Sequence, residues 1–388
     1  MRKKICMLVD NDVVNDSRVL KEADSLSRGN FDVSVVAMHN PGLKYFESCN
    51  GFKIIRIVVW TRIFRSKILL PLKFLEFFIR MFIIALKLKA DFYHCHDISP
   101  MIVAWLAART NNSKLIYDSH ELEYDRNFGR WHRLLNRVYE RIFINLVDHI
   151  VVSDGKYRAK VMIEKNKCSV PMTYVMNCPP KTELNQKDDI ILREKLKIPQ
   201  SRKIIVYIGK SMPGRGINTI LSILSQLENV NLVFIGKYEH SQIKEWERKY
   251  NITDKIMSIG PLHYSDVIKF ISGADLGLIL IKNTCLSYYF STPTKLFDCI
   301  AAGLPVLTSN FPAMENIIHN EASKPLGNSV DPDNKNQILE AIKEIIQYNS
   351  SDFDNIKSIS RDLHLKEYNW ENQEKKLLDV YNKLMRIK

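Results

Sequence analysis

Short apolar runs rich in β-branched residues alternate with helix-period stretches along this chain, and the alternation starts afresh past its middle. Residues 5–9, 33–37, 54–59, 92–96, 114–118 and 149–153 read as strands, with helices over 17–28 and 101–109. Residues 204–209, 232–236, 256–259, 276–281 and 306–309 repeat the pattern, with helices over 217–227, 241–250 and 264–272. Strand–helix alternation specifies a parallel sheet covered on both faces. Residues 171–189, with Pro179-Pro180 and a polar run, read as a linker. The expectation is an α/β chain of two Rossmann-like domains facing across a cleft, with ligands at the carboxyl ends of the strands. A terminal amphipathic helix is expected over 368–385.

With 388 residues, 46% hydrophobic and 26% charged, each half can bury its own core. Seven cysteines form no C-x-x-C pair, which favours reduced thiols and a cytoplasmic setting. The opening MRKKICMLVDND reads as a first strand rather than a signal peptide. Residues 1–180 hold 28 Lys and Arg against 18 Asp and Glu, whereas the remainder holds 28 against 25. Such a basic half attracts anions, or reflects no more than a basic proteome. Residues 66–89 are apolar but carry Lys73, Glu76, Arg80 and Lys87. They are too interrupted to span a bilayer. They read either as a helix packed on its own domain or as a basic amphipathic helix on an anionic membrane surface, and upstream Arg62, Arg65 and Lys67 fit both.

Several segments point to chemistry. Thr292 is placed to cap a helix, with Pro293 in its first turn, a helical run over 294–302, and Gly303 to stop it. A helix start at a sheet rim offers free N–H groups and a positive dipole end to a phosphate, although any doubly wound domain has such a unit. In YIGKSMPGRGI, Lys210 and Arg215 lie five residues apart on a loop between strand and helix, suited to a diphosphate. A solvated basic turn is the plainer reading. VFIGKY and IGPLHY end strands with Gly236 and Gly260, where the main chain can approach a ligand closely. YDSHELE and FYHCHDISP bring His120, Glu121, His96 and Asp97 to strand ends. His94, Cys95 and His96 raise a metal site, but no matching carboxylate cluster is evident in the sequence. In DNDVVNDSR, Asp16 or Ser17 can cap the next helix and Arg18 sits in its first turn. No G-x-x-x-x-G-K-[ST], G-x-S-x-G or H-E-x-x-H motif occurs, and no nucleic-acid module.

Residues 286–318 resemble the donor-site signature of family 4 retaining glycosyltransferases with the GT-B fold. There a P-N-K-L-F-E-Y helix precedes A-A-G-x-P-V; here Pro293 to Cys299 read P-T-K-L-F-D-C and Ala301 to Val306 read A-A-G-L-P-V. The 207–217 loop resembles the family's V-G-R-x-x-x-x-K-G segment with the cations exchanged. YDSHE is similar to its D-x-H-E strand end, and FYHCHD to its D-x-x-H-x-H-D. Of two family glutamates eight positions apart, Asp298 matches the second, and Phe290 stands at the first.

The resemblance implies an acceptor-binding domain over 1–178, a nucleotide-sugar donor domain over 190–365, and a helix over 366–388 crossing back to the first. It assigns Lys210, Arg215, Thr294 and Lys295 to the donor phosphates and Asp298 to the ribose. Gly236, Lys237 and Leu262 would meet the nucleobase. His120, as a neutral imidazole, and Glu121 would be catalytic. Arg18, His96 and Asp97 would face the acceptor. The implied reaction is metal-independent, retaining transfer from a UDP- or GDP-sugar to a hydroxyl, with no cofactor and with front-face attack. A lipid-linked glycan of bacterial surface polysaccharide (O-antigen or capsule), met at the inner face of the cytoplasmic membrane, is the expected acceptor. A GT-B nucleotide-sugar epimerase and a non-catalytic nucleotide-sugar-binding protein remain as alternatives.

Overall fold

The computed structural model describes residues 2–64, 66, 68–319 and 325–386. Arg65 and Lys67 lie outside the described residues. The chain divides into two units, Met1–Met176 with Glu374–Lys388, and Asn177–Gln373.

In chain order the first unit holds β1 (Lys4–Leu8), α1 (Ser17–Arg28), β2 (Asp32–Met38), β3 (Phe46–Cys49), β4 (Phe52–Ile57), α2 (Leu70–Leu88) and β5 (Phe92–His96). It continues with α3 (Met101–Thr110), β6 (Lys114–Ser119), α4 (Arg130–Phe143), β7 (His149–Val152), α5 (Lys156–Asn166) and β8 (Met172–Tyr174). The sheet order is β3-β4-β2-β1-β5-β6-β7-β8, parallel except for the β3–β4 hairpin. β1 and β5 are buried along almost their whole length, so they read as apolar runs without alternation. The right-handed crossover rule sets α1 on one face of this sheet and α2, α3 and α4 on the other, because the chain steps along the sheet in opposite directions. Asp16 caps α1 as expected, accepting from the Val19 amide at 3.2 Å. The expected 171–189 linker is shorter than its composition suggested: Met172–Tyr174 is the edge strand, and a helix starts at Asp188.

The second unit holds α6 (Asp188–Leu196), β9 (Lys203–Ile208), α7 (Ile217–Ile223), β10 (Val230–Ile235), α8 (His240–Tyr250), β11 (Ile256–Ile259), α9 (Tyr264–Ile271) and β12 (Leu276–Ile279). Then follow α10 (Leu286–Tyr289), α11 (Thr294–Ala302), β13 (Val306–Ser309), α12 (Pro312–Ile318), β14 (Gly327–Val330), α13 (Lys335–Ile346) and α14 (Ser350–Lys366). Its sheet is wholly parallel, in the order β11-β10-β9-β12-β13-β14. α11 ends at Gly303, whose φ of 77° is left-handed; a side chain there would strike Lys357 of α14. Arg361 of α14 donates to the Ala301 carbonyl at that helix end. The start of α11 differs from expectation. Pro293, extended at ψ 141°, occupies the cap position, so Thr292 lies one residue outside and is buried.

The last helix, α15 (Trp370–Arg386), begins in the second unit, and its residues from Glu374 onward belong to the first. Within the first unit Tyr381 packs between Phe31 and Phe92, and Glu374 accepts from Ser25 and Arg28 of α1 at 2.7 Å each.

Candidate functional site

In the second unit, the carboxyl end of β9 gathers cations. Gly209 turns the chain at φ 121°, and the loop returns to α7 through Gly216, where a Cβ would sit 2.7 Å from the Leu280 carbonyl. The Lys282 amide donates to Gly214 O at 2.8 Å, and the Tyr207 hydroxyl donates to Arg215 O at 3.3 Å. These contacts fix the backbone that carries Arg215. Its guanidinium lies 4.6 Å from the centre of the Tyr288 ring. Lys295, in the first turn of α11, is 8% exposed, with Nζ 4.2 Å above the Tyr207 ring. Burial, and after it the charge of Arg215, lower the Lys295 pKa to about 7. Among the described residues, no carboxylate lies within the 4.0 Å ion-pair distance of Lys210, Arg215 or Lys295.

Two aromatic rings therefore hold cations that have no carboxylate partner among the described residues. The amides of Thr294 and Lys295 precede the first turn's own hydrogen bonds and add a positive helix end. The Thr294 hydroxyl accepts from Asn177 at 3.2 Å. Lys210 is exposed at the same strand end. Asp298 lies one turn into α11, half-buried. Gly236 ends β10 and Leu262 follows β11; the Gly236 amide donates to Ile259 O at 3.1 Å, and Lys237 beside it is exposed. A Cβ on Gly236 would lie 2.5 Å from Gly209 O, so the main chains of β9 and β10 already occupy that space. Neither Tyr207 on β9 nor Tyr288 on α10 stands out in the sequence, where an aromatic near a strand end or in a short helix looks like core.

In the first unit the strand-end residues form one buried polar network. Arg18 of α1, 3% exposed, binds both oxygens of Asp118 on β6, Nε to Oδ2 at 2.9 Å and NH2 to Oδ1 at 2.7 Å. It also donates to Val175 O and lies 3.0 Å from Glu22. Arg18 is thus placed inside the fold, where its guanidinium is committed to protein partners. His96, 1% exposed, is equally enclosed, with Nδ1 3.2 Å from Asp118. His94 stacks on it at 4.4 Å and meets the Tyr381 hydroxyl at 2.7 Å.

His120 follows β6 and keeps part of its ring open to solvent, its side chain being 18% exposed. Its Nε2 donates to Asp118 at 2.8 Å; Asp97 accepts from its backbone amide at 3.0 Å and lies 3.8 Å from Nδ1. Burial opposes protonation, but the charges of Asp97 and Asp118 outweigh it and raise the His120 pKa to about 10. The two carboxylates thus favour the imidazolium, whereas the expectation from the sequence is a neutral ring. Glu121 points elsewhere, 3.7 Å from Arg158, and Arg158 also donates to the His120 carbonyl.

Carboxylates absent from the sequence pattern around His94 and His96 are present in the fold. Ligand-type atoms of Glu22, His94, His96 and Asp118 lie within 4.8 Å of one another, all buried. Burial and the Asp118 charge push Glu22 up to about 8, whereas Asp118, despite its burial, is held well below the carboxylate range by Arg18 and His120. Arg18 faces both carboxylates, binding Asp118 and lying 3.0 Å from Glu22.

The comparisons with known proteins agree with this division. Residues 188–361 match the model described as Glycosyl transferases group 1, and residues 17–160 match Glycosyltransferase Family 4. Both halves match glycosyltransferase families. The chitobiosyldiphosphodolichol beta-mannosyltransferase of Candida albicans is 24% identical over 266 residues, covering 63% of this chain and 57% of that protein. The chain spans about half the length of the curated relatives it matches. Sucrose-phosphate synthase from Thermosynechococcus elongatus superposes over 100% of both chains with a TM-score of 0.83 at 16% identity. Anabaena HepE, solved in complex with UDP and glucose, covers 98% of this chain and 100% of its own, with a TM-score of 0.75 at 11% identity. The fold is that of GT-B glycosyltransferases.

Proposed function

We propose that the protein is a glycosyltransferase that binds a nucleoside diphosphate sugar in its second unit and passes the sugar to a hydroxyl of a lipid-linked glycan. The observation that carries this reading is the set of cations without a carboxylate partner around β9 and α11. Arg215 and Lys295 are held on aromatic rings in partial or full burial, where an unanswered charge is costly. A diphosphate repays that cost. Charge develops on the diphosphate as the glycosidic bond breaks, so fixed cations and the α11 amides stabilise the transition state more than the ground state. This set does the work that a divalent metal does in other transferases, and we propose a metal-independent reaction. Asp298 is placed for the ribose, while Gly236, Lys237 and Leu262 at the neighbouring strand ends are placed for the base.

In the first unit, His120 and its neighbour Asp97 are the members of the network that reach solvent. As an imidazolium held by Asp118 through Nε2, His120 has Nδ1–H to offer a sugar hydroxyl. Asp97 orients it, whereas Arg18 and His96 support Asp118 from within, so their part in acceptor binding is indirect. Retention of anomeric configuration follows the family resemblance, with a donor phosphate oxygen taking the acceptor's proton. The acceptor class rests on the name of the Candida relative, which specifies a diphosphodolichol-linked sugar. Additions to lipid-linked glycans also build bacterial surface polysaccharides, and we place this protein in such a pathway, at the cytoplasmic face of the membrane.

Titration calorimetry with UDP, GDP and their sugar conjugates tests the donor reading. One nucleotide should bind, in the presence of a chelator, and Arg215→Ala with Lys295→Ala should weaken it at least about 100-fold, as loss of two charge-assisted contacts implies. Unchanged affinity in the double variant would refute the assignment. Anomeric proton spectra of the transferred sugar decide between retention and inversion.

A further inference from the structure

Three of the helices on one face of the first sheet, α2, α3 and α4, present an apolar surface that the fold leaves uncovered. On α4, Trp131, Leu134, Leu135, Val138 and Ile142 recur at helical spacing and are all exposed, Trp131 at 76% and Leu135 at 69%. Only Glu140 and Phe143 of α4 are buried, so this helix turns its main apolar stripe away from the core. α3 is the neighbour of α4: the Ile102 amide donates to the Tyr139 hydroxyl, and Trp105 meets Phe143 edge to face. Its own outer residues, Ile102 and Leu106, are exposed. α2 packs on α3 and buries Phe77, Met81 and Ala85, while Leu75, Ile79 and Ile83 face outward. Apolar side chains exposed on three adjacent helices are more than scattered surface residues account for.

The charges name the occupant. α2, α3 and α4 together carry eight Lys and Arg against two acids, Glu76 and Glu140. Neither acid is available to a partner, because Glu76 accepts from the Trp60 and Thr61 amides and from Arg80, and Glu140 is fully buried. Arg130 and Arg141 flank the α4 stripe and are exposed. A second copy of this chain would set like charge against like charge across a two-fold axis. A nucleic acid would meet the arginines but not the leucines. An apolar band edged by arginines fits the boundary between acyl chains and anionic headgroups. Among the described residues no helix is long and apolar enough to cross a membrane, so such contact lies in the plane of the surface.

We infer that the outer face of α2, α3 and α4, centred on the exposed stripe of α4, docks on an anionic lipid bilayer. α4 rather than the more apolar α2 is the anchor, because it alone combines a large exposed aromatic with flanking arginines. The inference stands on this surface by itself and goes beyond the transfer reaction. Where that reaction also holds, docking brings the first unit to a lipid-linked acceptor.

Co-sedimentation of the full chain with vesicles tests it. The protein should bind vesicles of phosphatidylglycerol mixed with phosphatidylcholine, and bind phosphatidylcholine alone at least about tenfold less tightly. Leu135→Asp with Val138→Asp should lower binding to the mixed vesicles by about tenfold or more, and Arg130→Gln with Arg141→Gln should lower it and reduce its salt dependence. These positions are exposed, so nucleotide binding in the second unit should be unchanged and reports that the variants are folded. Equal binding by both variants and wild type would overturn the inference. So would a dimer in light scattering that the Leu135→Asp, Val138→Asp variant converts to monomer, or tighter binding to duplex DNA than to the vesicles.

Discussion

The polar cluster of the first unit and the cation loop of the second are built on opposite principles. Around Arg18 every charge is answered inside the protein: the guanidinium spans Asp118, Asp118 also takes His120, and Asp97 faces His120 from the other side. Around Arg215 and Lys295 the protein supplies aromatic rings and a helix start but, among the described residues, no carboxylate within ion-pair distance. The first arrangement holds a side chain in one charge state whether or not a ligand is bound. The second waits for an anion. One chain thus uses burial twice, once to fix a cation and once to make a cation dependent on its partner.

The comparison breaks most visibly if Asp118 is removed. Asp118→Ala leaves Arg18 buried without its partner, and should cost about 3–5 kcal/mol in urea unfolding. A loss below about 1 kcal/mol would mean that the network is no better than a surface pair. Lys295→Met makes the contrasting test, because it removes an unanswered buried cation. It should stabilise the ligand-free protein by about 1 kcal/mol or more at pH 6, while weakening nucleotide-induced thermal stabilisation.

The pH dependence sharpens the contrast. His120 is raised to about 10 in the folded protein, so its contribution is fully present below its unfolded pKa of about 6.5 and is lost as pH rises through 10. His120→Gln should flatten that alkaline decline. Lys295 has the opposite sign: its folded pKa of about 7 lies below the unfolded value, so stability of the ligand-free protein rises with pH from about 7 to 10.5. Glu374→Ala, which cuts the α15 contacts to Ser25 and Arg28, should cost about 1 kcal/mol at most, since Arg28 is exposed.

What the sequence revealed divides along physical lines. Strands buried on both faces, such as β9 and β10, were legible because their apolar runs have few other uses. β3 (FESC) and β14 (GNSV) were not, since they are four residues long, hold a single β-branched residue between them (Val330) and pair at sheet edges. Gly303 announced the end of α11, but its start lay one residue later than the capping pattern indicated, because Pro293 itself took the cap. At the site, Lys210, Arg215 and Lys295 were legible as cations beside a strand end and a helix start. The rings beneath two of them were not, because Tyr207 and Tyr288 come from distant elements. Nor was the charge of His120, which depends on Asp97 arriving from the end of the neighbouring strand.

The central claim is that the second unit keeps an unanswered buried cation for a diphosphate. Calorimetric titration of UDP or GDP, whichever binds, at pH 8 in buffers of different ionisation enthalpy measures it most directly. Lys295, mostly neutral at that pH in the free protein, should become charged against the phosphates, and binding should take up most of one proton. The uptake should disappear in Lys295→Met. Binding with no proton uptake in the wild type, or with the same uptake in the variant, would contradict the account.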